Sequence, residues 1–368
     1  MPAATYEALD FTDVADWHCS GGQSQALSAF ADCEHFFLDP SNGREMEPPE
    51  WADCMASLSR EASVLAASEP SEQTARDFFE RHFQPHRVAH NDGCGLLTGY
   101  YEPVLQASRT KSEKFKYPLF RRPDDLVDLT PHLRTDIGNQ DLTHARSKGG
   151  FLEPFPTRSA IETGILDDQG LQLAYLTDPV DAFFLHVQGS GILEFAPDDR
   201  VRIGYDGKNG HSYTSIGKLA IERGWIPADE MDLARLGGWL RSEPERGREL
   251  MRANKSFVFF RELGPESEVR PTGIYDIPLM AGSSLAVDRS FHQIGLPVFV
   301  TSDDLGHSPW CAERFHRLMI AQDVGSAIVG PERGDIFFGS GDSAGLAAGQ
   351  TKSSGNFFVL LPRECCAQ

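Results

Sequence analysis

Two aspartates near the end of the chain are placed as an acid–base pair could be. Asp323 closes the apolar run Leu318-Met-Ile-Ala-Gln322 and stands just before a glycine turn at Gly325; Asp335 lies twelve residues on, where it opens the apolar stretch Ile336-Phe-Phe338. A strand, a turn and a second strand could bring both carboxylates to one end of a barrel. Paired carboxylates are the usual equipment for cutting a glycosidic bond, one as acid and one to activate water or attack carbon. A plainer reading stands beside this one. Asp323 caps a turn and Asp335 begins a strand, which is what most such aspartates do.

Other groupings are poorer candidates. His82, His86 and His90 have i, i+4, i+8 spacing, but Pro85 interrupts the helix that would align them. His307, Cys311 and His316 lack a fourth ligand. No phosphate loop, dinucleotide fingerprint or Gly-x-Ser-x-Gly elbow is present, and Gly189-Ser-Gly191 reads as a tight lining rather than a nucleophile site. Neither metal nor cofactor is expected. The seven cysteines, at 19, 33, 54, 94, 311, 365 and 366, are irregularly spaced and odd in number. They suggest buried or idle thiols with one or two bridges at most.

The elements that must carry these residues divide into a helical start and a strand-rich remainder. Ala26, Leu27, Ala29, Phe30, Cys33, Phe36 and Phe37 form a helical stripe, and Phe78, Phe79 and Phe83 mark another, with Pro85 as its stop. Residues 95–105 are rich in strand formers, with Pro103 at a strand end; residues 106–160 are loop-rich. Strands are expected at 171–176 and 182–187, a helix at 213–223, and a second helix opened by the capping box Ser242-Glu-Pro-Glu245 and ending near Asn254. Strands then follow at 257–261, 284–287, 297–301, 318–322, 335–338 and 356–361. Short Gly, Pro, Ser and Asp links separate many of them, which points to a closed barrel.

Composition narrows the partner. The 368 residues carry 54 Asp and Glu against 34 Lys and Arg, a formal charge of -20. Such a surface repels nucleic acid and anionic membranes, and suits an uncharged or amphoteric partner such as a glycan. No stretch approaches the roughly 20 apolar residues of a membrane helix. Residues 1–17 have neither the basic nor the apolar region of a secretory signal.

Several blocks resemble one known family. Asp288 in Leu285-Ala-Val-Asp-Arg-Ser290, with Asp323 and Asp335, is similar to the three-aspartate pattern of the 3D domain. Thr98-Gly-Tyr-Tyr-Glu-Pro103 looks like the Gly-Tyr-Tyr-x-Pro segment of the membrane-bound lytic murein transglycosylase A family. Asp181-Ala-Phe-Phe-Leu-His-Val-Gln-Gly-Ser-Gly191, Gly204-Tyr-Asp-Gly-Lys-Asn-Gly-His211 with Ser-Tyr-Thr-Ser-Ile-Gly217, and Asn254-Lys-Ser-Phe-Val-Phe-Phe260 follow in the family's order. Ser326 stands where the family usually has a second glycine, Val329 where lysine is common, and one residue is inserted between Asp323 and Asp335.

The resemblance implies a mainly β fold with N-terminal helices: a six-stranded double-psi β-barrel domain plus an inserted β-rich second domain, with a groove between them for the glycan. Mapped here, the barrel would take 1–105 and 253–368 and the insert 106–252. It implies a peptidoglycan lytic transglycosylase in which Asp323 alone acts as acid and then base, with Asp335 in support and Asp288 structural. Tyr100, Tyr101, Glu102, Gln188, Ser190, Asn209 and Tyr213 are the residues expected to bind substrate. Peptidoglycan glycan strands are the expected partner, without nucleic acid or metal, and the protein is expected to be a monomer. Its place would be the periplasm or the periplasmic face of the outer membrane, so the full gene product should carry an export signal that this chain does not show. A hydrolytic glycosidase and a non-catalytic glycan-binding protein on the same barrel remain as alternatives.

Overall fold

The computed structural model describes residues 4–39, 49–90, 95–130, 133, 142–266, 268–305, 308–310 and 314–363. The chain forms two compact units, one spanning Met1–Tyr101, Arg270–Gly339 and Ser343–Gln368, the other Glu102–Val269 and Ser340–Asp342.

The first unit is built on β1 (Thr5–Ala8), β2 (Phe83–Ala89), β3 (Gly95–Glu102), β13 (Ser284–Val287), β14 (Pro297–Ser302), β15 (Phe315–Val324), β16 (Arg333–Ser340) and β17 (Lys352–Pro362). The order β17-β14-β15-β13-β16-β3, with β3 pairing back onto β17, closes a six-stranded barrel; β2 and β1 extend it outside the ring. Closure removes the free edges that a flat sheet of this size would present. β13 runs parallel to β15 and antiparallel to β16.

Four helices pack on this barrel: α1 (Gln23–Ala31), α2 (Glu34–Leu38), α3 (Pro49–Ala66) and α4 (Glu72–His82). The apolar stripe read from the sequence is their buried face. Phe30, Phe37, Phe78, Phe79 and Phe83 are all fully buried, with the Phe30 and Phe83 rings 5.7 Å apart. Each such burial contributes about 1.5–3 kcal/mol. Ser71 caps α4 by accepting from the Thr74 N–H.

The helix expected to stop at Pro85 ends three residues before it, and Phe83, read as part of that helix, opens a strand. α4 ends at His82, and Pro85 lies within β2, opposite Leu360 of β17. Proline disfavours helix in the residue before it, and pairing with β17 takes up the extended segment. A further helix, α9 (Asp342–Gln350), went unread because its alanines and glycines give little apolar periodicity.

The second unit carries a six-stranded sheet in the order β12-β11-β10-β4-β9-β5 and a three-stranded sheet β6-β7-β8. The strands are β4 (Val104–Ser108), β5 (Tyr117–Phe120), β6 (Leu126–Asp128), β7 (His144–Lys148), β8 (Phe151–Glu153), β9 (Gln172–Leu176), β10 (Gly191–Ala196), β11 (Asp199–Lys208) and β12 (Val258–Pro265). Its main helices are α5 (Pro179–Gln188), α6 (Ile216–Glu222), α7 (Leu233–Ser242) and α8 (Pro244–Ala253). The strand expected at 182–187 is therefore a helix. Asp178 caps it through the Val180 N–H and Pro179 pre-forms its first turn, while Val180, Phe183, Leu185 and His186 are buried. A continuous apolar run does not by itself distinguish a buried helix from a strand.

The helix at 244–253 forms as expected, but not through the capping box. Ser242 bonds back to the Trp239 carbonyl as the end of α7, and Pro244 opens α8. The sequence boundary at 253 and the structural one differ. Residues up to Val269 stay with the second unit because β12 pairs along β11 from Val258↔Lys208 to Pro265↔Val201. No helix among the described residues is long and apolar enough to cross a membrane.

Candidate active site

Three neighbouring barrel strands place the two aspartates. Asp323 on β15 and Asp335 on β16 are both register partners of Ala286 on β13, the strand between them. Partners directly opposite in adjacent strands project from the same face, so both carboxylates rise on one side of the sheet with only a methyl group between their strands.

Asp323 is held from two directions. Its Oδ1 accepts from the Val324 N–H at 2.9 Å and from the Ile274 N–H at 3.1 Å. Behind it lies Gly273, where a Cβ would come within 2.4 Å of the Gln322 carbonyl oxygen and 3.0 Å of the Asp323 carboxyl carbon. Burial raises the Asp323 pKa to about 6, against the opposing pull of the Val324 N–H, the Tyr100 hydroxyl and the Ile274 N–H; the Asp335 charge adds a smaller upward push. Both backbone donors go to Oδ1, so the proton of the neutral acid belongs on Oδ2.

Tyr100 on β3 stands beside this pair, its ring 5.1 Å from that of Phe337. Its hydroxyl is buried and completes no hydrogen bond, although it is near enough to Asp323 to favour the charged carboxylate. Burial and then the Asp323 charge hold the phenol pKa well above its ordinary value. An unpartnered buried hydroxyl beside an acid is unusual, since such groups are normally satisfied.

Asp335 has a cationic partner that sequence reasoning missed. Arg333, two residues earlier on the same strand, places Nη1 3.2 Å from Asp335 Oδ1 and donates from Nη2 to Thr98 Oγ1 at 2.8 Å. Burial raises the Asp335 pKa and Arg333 opposes the rise. The only signal available in advance was the i, i+2 spacing of Arg333 and Asp335, which puts both on one face of a strand.

Asp288 does a different job. Its Oδ1 accepts from the Ser290 N–H and Oγ, at 3.0 and 2.6 Å, and its Oδ2 from the Gly330 N–H at 2.8 Å. Burial alone would raise its pKa, but these donors and His292 bring it below the ordinary carboxylate value. It ties the end of the 325–330 loop to the barrel.

The remaining sequence candidates separate by unit. Tyr101 belongs to the barrel unit and packs against its core, with its ring over Gly345. Glu102, Gln188, Ser190, Asn209 and Tyr213 belong to the second unit. Glu102 is fully buried, ion-paired to Arg202 at 2.9 Å and bonded by Ser340 Oγ at 2.7 Å. Asn209 is also fully buried; its amide donates to the Pro156 and Lys255 carbonyls and accepts from the Phe257 N–H, all at 2.9 Å. Both side chains are thereby committed to holding the second unit together. Gln188 ends α5, Gly189 (φ 80°) closes that helix, and Ser190 is buried just before β10. Tyr213 is half-buried.

The chain is similar to known proteins in sequence and in fold. Residues 96–261 match the MltA specific insert domain and residues 283–361 match the 3D domain. A membrane-bound lytic murein transglycosylase A of Escherichia coli is 35% identical over 275 residues, covering 74% of this chain and 67% of that protein. The chain belongs to the membrane-bound lytic murein transglycosylase A family. The corresponding protein of Vibrio cholerae is 34% identical over 271 residues, 73% of this chain and 66% of its own length. Among solved structures, a membrane-bound lytic murein transglycosylase from Agrobacterium tumefaciens superposes with a TM-score of 0.87 at 34% identity, covering 98% of both chains. MltA of Neisseria gonorrhoeae gives 0.73 at 30% identity over 98% of this chain and 93% of that one. Escherichia coli MltA with bound chitohexaose gives 0.71 at 25% identity, over 97% and 94% of the two chains.

Within this family frame, the two departures noted in the 325–330 loop fall on its surface. Ser326 and Val329 are exposed, Val329 to 69%, while Ile328 is buried and holds the loop down. The substitutions leave the bonds to Asp323 and Asp288 in place.

Proposed function

We propose that the protein cleaves the MurNAc-β-1,4-GlcNAc bond of peptidoglycan without water, with Asp323 as general acid and then general base. The observation that carries this reading is a buried carboxyl whose pKa is raised to about 6 and which is anchored through one oxygen by two backbone N–H groups. A free aspartic acid, with a pKa near 3.9, would rarely hold the proton that the first step needs at neutral pH. The oligosaccharide bound to Escherichia coli MltA, chitohexaose, agrees with a glycan-strand substrate.

The steps balance on one carboxyl. Asp323 Oδ2 gives its proton to the bridging oxygen, and the bond from that oxygen to muramoyl C1 breaks. The C6 hydroxyl of the same sugar then loses its proton to Asp323 and forms the C6–O–C1 bond, leaving a 1,6-anhydro end and a re-protonated acid. An internal nucleophile of this kind is worth up to about 7–11 kcal/mol of the barrier, and a positioned acid–base group about 10²–10⁴ in rate. Tyr100, with its buried and unpartnered hydroxyl, is the substrate-binding candidate that lies beside the acid. The family's membrane-bound members agree with a place in the cell envelope.

A hydrolase on this barrel would need a second carboxylate free to direct water. Asp335 is paired with Arg333 and Glu102 with Arg202, which disfavours both. Mass spectrometry of products from purified sacculi is the test. Anhydro-muramoyl ends support the reading, reducing ends move it to hydrolysis, and intact glycan with measurable binding leaves a binding protein.

A further inference from the structure

The acid is gripped by a turn that the sequence does not advertise. Residues 271–279 double back on themselves: Thr272 bridges Pro278, the Gly273 N–H donates to the Ile277 carbonyl at 2.9 Å, and the Ile277 N–H to the Ile274 carbonyl at 3.2 Å. Its two central residues, Tyr275 (φ 58°) and Asp276 (φ 57°), are both left-handed. Tight hairpins prefer this mirror-image turn, but they build it from Asn and Gly, for which such angles cost little. Here Asp276 tolerates such angles but Tyr275 is poorly suited to them, and neighbouring groups hold it in place. The Tyr275 ring stacks on Phe36 at 5.0 Å, His35 Nε2 is 3.3 Å from the Tyr275 carbonyl oxygen, and Arg270 forms a two-pronged pair with Asp32 at 2.8 and 2.7 Å.

The turn's internal bonds use the N–H groups of Gly273, Ile277 and Leu279. That of Ile274 is left over and points at Asp323 Oδ1. Gly273, lacking a side chain, lets the turn approach the carboxyl closely enough for that bond to form. Backbone strain held by surrounding contacts at a reactive group is a mark of a functional constraint.

We infer that the 271–279 turn is a positioning device for the acid: by anchoring Oδ1 it fixes the Asp323 side chain and reserves Oδ2 for the proton passed to the substrate. The inference rests on the reading of Asp323 as the acid–base group. The other titratable groups facing Asp323 are Tyr100 on β3 and Asp335 on β16; on the far side of the turn stand His35 and the Arg270–Asp32 pair.

Ile274→Pro removes the anchoring N–H and no bond of the turn, and its ring carbon takes the place of the donor against Asp323 Oδ1, so the anchor is broken both by loss of the donor and by displacement of the carboxyl. Ile274→Ala keeps the N–H and serves as the side-chain control. The Asp323 carboxyl is titrated by carbon-13 NMR in the resting protein, a readout that does not depend on turnover, alongside kcat and KM on glycan strands. A hydrogen bond to a charged group is worth enough for the titration to move up by about one pH unit in Ile274→Pro. The expected kinetic result is a fall of up to about tenfold in kcat measured below about pH 5, where the carboxyl is protonated in both proteins, with KM nearly unchanged. Ile274→Ala should leave the titration in place. If Ile274→Pro does not fold, Gly273→Ala presses on the same carboxyl from behind and should move the same titration. A folded anchor variant with an unmoved Asp323 titration overturns the inference, as does an equal shift in Ile274→Ala. Loss of the acid–base reading itself would show separately, as turnover surviving in Asp323→Asn.

Discussion

Asp323 and Asp335 face the same residue, Ala286, from opposite sides of β13, yet their surroundings differ. Asp323 has backbone N–H donors and no cation; Asp335 has Arg333. Two carboxyls on one sheet face thus sit in different surroundings, one held by backbone donors and the other paired with a cation, which is the asymmetry that the proposed division of roles needs. The charge of Asp335 does raise the Asp323 pKa, but burial is the larger cause.

Asp323→Asn should stop turnover and stabilise the protein at neutral pH. The folded pKa of about 6 lies above the ordinary 3.8, so between those values the folded chain keeps a proton that the unfolded chain has released. Stability from this group therefore falls as pH rises from about 4 through about 6, and stays lowered above that. Two pH units correspond to at most about 3 kcal/mol, which the neutral asparagine should recover near pH 7 and not near pH 4. Denaturant unfolding at both pH values, with sacculus digestion in parallel, checks this. A folded mutant that still digests sacculi would place the chemistry on another residue.

Asp335→Asn should move the alkaline limb of the pH–rate profile only slightly downward, by well under one pH unit, since its charge is the minor cause of the Asp323 shift. Its main effect should be structural, because Arg333 loses its carboxylate in a half-buried position. Leaving one member of such a pair costs about 1–3 kcal/mol. Arg333→Met should cost a similar amount, and the double variant should cost less than the sum. A double-mutant cycle of stabilities gives that coupling; strict additivity would show that the pair contributes nothing.

Tyr100→Phe should leave the fold as stable as before, or more so by about 1 kcal/mol, because it deletes a buried hydroxyl that has no partner. The hydroxyl lowers the Asp323 pKa, so its loss should move the alkaline limb upward. If it also binds the sugar, KM rises for long glycans. Thermal melts with a pH–rate profile separate these effects, and a marked loss of stability would mean that the hydroxyl supports the fold.

Much of the barrel was legible in the sequence. Ser284–Val287 is a strand at both ends as read, and the strands around Leu318, Asp335 and Phe358 each contain the segment expected for them. Alternation, β-branched residues and glycine breaks carry that information locally. The same logic misassigned 182–187, where apolar residues on the exposed side, Val187 among them, erased the period that separates helix from strand. It also gave no warning that Glu102 and Asn209, both polar and next to aromatic residues, would be sealed inside the second unit by Arg202 and by backbone groups.

The ordered blocks and the three aspartates determined the family and singled out Asp323 as the acid–base candidate. What gives Asp323 its pKa and anchors its Oδ1 came only with the tertiary structure. Burial is a property of the closed barrel, and the Ile274 N–H that anchors the carboxyl comes from 49 residues away. Every residue but proline carries an N–H, so residue type says nothing about which one will meet a carboxylate. Only the folded path of the chain, with Gly273 pressed against β15 and Tyr275 held on Phe36, makes that choice.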